Sequence, residues 1–198
     1  MSLLGSGFLP EIINAYGGLR SSMRAQMEKK PGEERLLALL AYGCFVIFLS
    51  FLPRLFATDL SQTPDQSIAG GIIMWFFVVM FFLPLVLYGV AGISHLIAKR
   101  FGAKGAYFNA RHALFWMLAV LSPALIAKAM LGSVFIQIGG AFGDNMLHVL
   151  NVLLALAVLR IWGATLAEAE GFRSSFRVSA VILSIFAGIS GIIYLGAI

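Results

Sequence analysis

The chain has 198 residues, 60% of them hydrophobic and only 12% charged, with a formal net charge of +5. A soluble domain carries about a quarter charged residues, so this composition excludes an ordinary water-soluble fold. The basic residues sit in short segments between apolar runs, not as a stripe on an exposed module, so no nucleic-acid partner is expected.

Residues 1–35 are the most polar part of the chain. Ile12, Tyr16, Leu19, Met23 and Met27 recur at spacings of three and four, which predicts a short amphipathic helix at the membrane surface. Arg20, Arg24 and Glu28 share an adjacent polar face, and Gly17-Gly18 weakens the helix at its centre. Pro31-Gly32 ends it, and Glu33-Glu34 then stand where a helix N-terminus favours acids.

Crossing a hydrocarbon core takes about 20 mostly apolar residues. Five stretches qualify, at about 36–57, 68–98, 113–131, 146–167 and 178–198. Lipid offers no partner for backbone groups, so each should be a helix. The prediction is an all-α membrane protein with a five-helix domain over 36–198 and an N-terminal segment over 1–35. Pro84 and Pro123 fall inside the second and third spans and should disturb them. Small residues recur four apart at Ser184, Gly188 and Ala187, Gly191, a spacing suited to close helix packing and compatible with a homo-oligomer.

Lysine and arginine set orientation. Arg20, Arg24, Lys29, Lys30 and Arg35 precede the first span; Lys99, Arg100, Lys104 and Arg111 follow the second; Arg173 and Arg177 follow the fourth. The opposite ends carry Asp59, Asp65 and Asp144, with Arg54 and Lys128 near the boundary. The expected topology has the N-terminus in the cytoplasm and the C-terminus on the far side. Trp116 and Trp162 then fall near the cytoplasmic interface, where amphipathic rings are favoured.

Little in the sequence carries chemistry. "GAKG" at 102–105 has two glycines three apart, but no Ser or Thr follows as in a phosphate loop. The histidines lack a ligand set sufficient for closed zinc, and no hydrolase or nucleotide motif is present. Neither a cofactor nor enzyme activity is expected. Arg160 and Asn151, within the fourth span, form a candidate intramembrane polar site. Lys99, Arg100, Lys104, Tyr107, Phe108 and Arg111 form a candidate contact for anionic lipid head groups or a protein partner, with the two aromatic rings at the lipid interface.

The segment "SHLIAKRFGAKGAYFNARHALFWMLAVLSPAL" resembles the Yip family of membrane proteins, with Gly102, Gly105, Tyr107 and Pro123 in matching places. "RIWGATLAEAEGFRSSFRVSAV", with Trp162 and Gly171-Phe172, is similar to that family's junction between its fourth and fifth helices. The resemblance covers residues 36–198. The chain lacks the Asp-Leu-Tyr-Gly-Pro motif of eukaryotic members, so Rab binding does not carry over. The short form resembles the bacterial branch, which implies an inner-membrane location. The resulting expectation is a non-enzymatic adaptor or membrane-organising component of trafficking type. The alternative is a passive transporter, channel or lipid-moving protein with a site near Arg160.

Overall fold

The computed structural model describes residues 8–57 and 68–184, and the side chains of 8–54 and 69–184. Two short helices, α1 (Phe8–Ala15) and α2 (Leu19–Glu28), precede α3 (Glu33–Ala57). Next come α4 (Ile68–Phe77), a π-helical turn (Val78–Phe82) and α5 (Leu83–Arg100), which run on as one long rod. The chain then forms α6 (Tyr107–Ile138), α7 (Gly140–Glu170) and α8 (Ser175–Ser184). Four helical stretches are long and apolar enough to cross a membrane: Glu33–Arg54, Ala69–Arg100, Tyr107–Ile138 and Gly140–Glu170. α8 opens the fifth expected stretch. Residues 185–198, with most of the small-residue pattern, lie outside the described residues, as do Asp59 and Asp65.

α6 is the central helix, packed chiefly on α3 and α7 and also touching α1, α2 and α5. Its two halves differ. From Ala113 to Ser122 every residue is buried, whereas Ile126, Met130, Leu131, Val134 and Ile138 are exposed. At 1.5 Å per residue its 32 residues span about 48 Å, well beyond the roughly 30 Å of hydrocarbon. The surplus length belongs to the half covered by protein, where α1 and α2 lie.

The amphipathic segment differs from expectation. It breaks at Gly17-Gly18 into two helices, and its apolar residues turn onto the bundle. Ile12 and Met23 are core residues, with Phe8, Leu19 and Met27 packed against the same cluster. Two helices folded back on each other present more of that apolar face to α6 than one straight rod would.

Both prolines leave recognisable traces. Pro84 lacks the N–H that would close a turn onto Met80, and the helix widens into the π-helical turn at Val78–Phe82 just before it. Pro123 lies inside the continuous α6 and removes the ladder bond to the Ala119 carbonyl. The Ser122 hydroxyl donates to that carbonyl at 2.8 Å and is itself hydrogen-bonded to Tyr42. One residue on, the Val120 carbonyl accepts the Tyr16 hydroxyl at 2.6 Å. Tyr16 thus pins the end of α1 against the middle of α6.

Candidate functional site: a strapped helical cap

The end of the bundle that carries α1, α2 and the 101–106 loop is held by ion pairs between distant segments. α7 ends in Glu168-Ala169-Glu170, where the helix macrodipole disfavours acids unless cations compensate. Glu168 receives Arg20 at 2.8 Å and Arg24 at 2.7 Å, both from α2, and its side chain is only 8% exposed. Arg20 also donates to the Phe172 and Arg173 carbonyls, at 2.8 Å each. One guanidinium therefore ties α2 to α7 and to the turn beyond it.

Glu170 is fully buried, and its Oε1 lies 2.7 Å from Nδ1 of His95 on α5. The 101–106 loop covers this pair: the Lys104 amide donates to the Glu170 carbonyl at 3.0 Å. A Cβ built on Gly105 would stand 2.5 Å from the Ala169 carbonyl oxygen and 3.0 Å from the Glu170 Cα. Only a glycine lets the loop lie this close to the end of α7. Gly171, at φ +76°, caps that helix, and the Phe172 amide returns to the Ala167 carbonyl at 2.8 Å.

Glu11 links the first three helices. It accepts from Gln26 at 2.6 Å, Lys29 at 2.7 Å and Arg35 at 2.9 Å, and Arg35 also donates to the Gln26 side-chain Oε1. Burial acts to raise the Glu11 pKa, but the hydrogen bonds from Lys29 and Gln26 and the charges of Lys29 and Arg35 hold it below the ordinary 4.5. A carboxyl depressed on folding stabilises the fold above its unfolded pKa and loses that contribution as pH falls through the folded value. Docking of α1–α2 should therefore be constant from neutral pH to about 5 and weaken below the ordinary glutamate value. Fluorescence of Trp116, whose indole donates to Ser22 at 3.1 Å, reports it. A pH step that persists unchanged in Glu11→Gln would show that another group is responsible.

The residues singled out in the sequence divide into two sets. Lys99, Arg100 and Lys104 are exposed, and they form no ion pair among the described residues. Arg111, expected as a contact residue, is instead structural. It lies inside α6 with its side chain 14% exposed and makes a forked pair to Glu33 at 2.6 and 3.3 Å. The rings of Tyr107, Phe108 and Tyr88 surround its guanidinium at 5.0, 5.5 and 5.6 Å. Tyr107 and Phe108 thus clasp an arginine, with Tyr107 still exposed on its other side. Trp116 is likewise covered by protein and fully buried.

Asn151 and Arg160 are both exposed along α7. Nine residues apart, they point to opposite sides of the helix, so they do not converge on one site. The large cavity that the structure holds, between α5, α7 and α8, is lined by neither. Of the remaining motif positions, Gly102 takes a left-handed φ of +81°, and Pro123 and Gly171 have the roles given above.

Sequence reasoning missed His95, Glu168, Glu170, Glu11 and Gln26. His95 has a carboxylate partner in Glu170, and no group of three metal-ligating side chains occurs among the described residues. Two acids, Glu168 and Glu170, in the last turn before a capping glycine were the available signal, since that position calls for cations to offset them. No protein-family model, curated protein or solved structure matches the chain.

Proposed function

We propose that this chain is a non-enzymatic membrane adaptor or organising component whose strapped cap faces the cytoplasm and binds anionic head groups or an acidic protein partner. The observation that carries the reading is the separation of roles among its cations. Arg20, Arg24, Arg35 and Arg111 hold the cap together. Lys99, Arg100, Lys104, Arg173 and Arg177 surround it with no ion pair among the described residues. A preorganised platform with outward charge suits recognition of an anionic surface.

The same reading takes five crossings, a cytoplasmic N-terminus and a bacterial inner membrane, in line with the resemblance to the short Yip-type branch. The excess of basic residues at the cap end supports that sidedness. For the passive-transport alternative, Arg160 would have to face a polar path; among the described residues it faces outward.

The test uses purified protein in nanodiscs of neutral lipid. Lys99→Gln, Arg100→Gln and Lys104→Gln together should lower capture of vesicles containing phosphatidylglycerol by about tenfold or more, at about 1 kcal/mol per surface cation. Thermal stability should hardly change. Capture that is equally strong in the triple variant would refute the platform role.

A further inference from the structure

A cleft of about 850 Å³ opens between α5, α7 and α8, within the size range of pockets that hold small molecules. Val90, Ile93 and Ile97 of α5 face Val178 and Ile182 of α8, over Leu166 of α7. Ser94, the polar residue on the α5 wall, already donates its hydroxyl to the Val90 carbonyl. The walls are therefore apolar along most of their length.

Charge is confined to one end. Arg173 and Ser174 belong to the turn between α7 and α8, and Arg177 to the first turn of α8. From that end, α5 recedes from Phe101 to Val90, about 16 Å at the helical rise. Among the described residues neither guanidinium has a carboxylate partner; the neighbouring acids are engaged elsewhere, Glu168 by Arg20 and Arg24 and Glu170 by His95. Lys104 adds positive charge beside the same turn, since a Cβ on Gly171 would lie 3.9 Å from its Cβ.

The cleft is built by a tight crossing. A Cβ on Gly163 would overlap the Ser179 side chain, and the Ser179 hydroxyl donates to the Leu159 carbonyl at 3.0 Å. This contact clamps α8 onto α7 and leaves the gap on the α5 side.

An apolar slot with two arginines at one end that make no ion pair among the described residues matches an amphiphile with an acidic head, and matches neither a neutral hydrocarbon nor a free anion. We infer that the cleft holds one anionic membrane phospholipid, its acyl chain between α5 and α8 and its phosphate at Arg173 and Arg177. The inference rests on the reading that the cap end lies at a membrane surface. It assigns the chain a retained lipid, distinct from the transient vesicle contact made by Lys99, Arg100 and Lys104.

Native mass spectrometry after detergent exchange tests it, using phosphatidylglycerol and phosphatidylcholine of identical chains. One phosphatidylglycerol should stay bound per chain, with phosphatidylcholine retained at least about tenfold less. Arg173→Gln with Arg177→Gln should remove that preference. Ile97→Trp, which fills the slot, should displace either lipid, and an unchanged melting temperature shows that the variant folds. Equal retention of both lipids, retention of inorganic phosphate alone, or a second copy of the chain in place of lipid would each overturn the inference. Absence of retained lipid in the parent chain, with vesicle capture intact, would sink this inference and leave the platform reading standing.

Discussion

Gly105→Ala will unseat the 101–106 loop and cost about 3 kcal/mol, the sum of overpacking and a lost hydrogen bond at a buried carboxylate-bearing residue. A single methyl group suffices, because the obstruction begins at Cβ. It would meet the Ala169 carbonyl oxygen at 2.5 Å, the Glu170 Oε2 at 2.6 Å and the Glu170 Cα at 3.0 Å. Two of these are backbone atoms of α7, and no rotamer change moves them. Relief requires the loop to lift, which breaks the bond from the Lys104 amide to the Glu170 carbonyl and admits water to the His95–Glu170 pair. Gly102→Ala is the control. That residue has nothing within 4 Å of a built Cβ but sits at φ +81°, so its cost is the left-handed strain alone, about 1 kcal/mol. Unfolding titrations in mixed micelles should rank the variants in that order. Equal losses would mean that the loop yields around Gly105, and that its fit on α7 is looser than the distances require.

The second large effect lies beneath α1 and α2. Trp116→Ala removes a fully buried indole that donates to Ser22 and meets the edge of Phe8 at 6.4 Å between ring centroids. Large aromatic truncations in cores cost about 3–5 kcal/mol. Here the loss falls mainly on the contact between the N-terminal helices and α6, because Phe8 and Ser22 sit on that side. Limited trypsin cleavage after Lys29 should become rapid while α6 and α7 stay protected. Trp116→Phe keeps most of the ring and forfeits the hydrogen bond, for about 1 kcal/mol. If both variants resist trypsin as well as the parent, the indole does not hold the N-terminal helices.

The long helices were legible because an apolar run of spanning length has few alternatives in lipid. Their cap-end limits were not. α6 starts at Tyr107 and α7 runs to Glu170, through residues such as Arg111 and Glu168 that look solvent-facing when read along the sequence. Their neutralising partners are remote: Arg20 and Glu168 are 148 positions apart, and Arg111 and Glu33 are 78 apart. Periodicity reports which face of a helix is apolar, and it gives no indication of which distant charge will meet it. The same limit explains Arg111, Tyr107 and Phe108. As a sequence they read as a basic, aromatic membrane edge; folded, the rings enclose the guanidinium. Gly17-Gly18 was visible as a weak point, but the fold-back it permits depends on the docking surface that α6 supplies. In Arg160 and Asn151 the sequence shows polar residues inside an apolar run, and their nine-residue separation already sets them on opposite sides of a helix.

The hydroxyl of Tyr16 on the Val120 carbonyl constrains the order in which the molecule is assembled. α1 and α2 are made before the surfaces that receive them: Trp116 and Val120 on α6, then Glu168 on α7. Until α6 is made, Ile12 and Met23 lack the core that buries them, whereas the Ala119 carbonyl freed by Pro123 finds its Ser122 donor within α6 itself. α1 and α2 thus settle only after helices made later than themselves, and Tyr16 adds its bond to an α6 already formed.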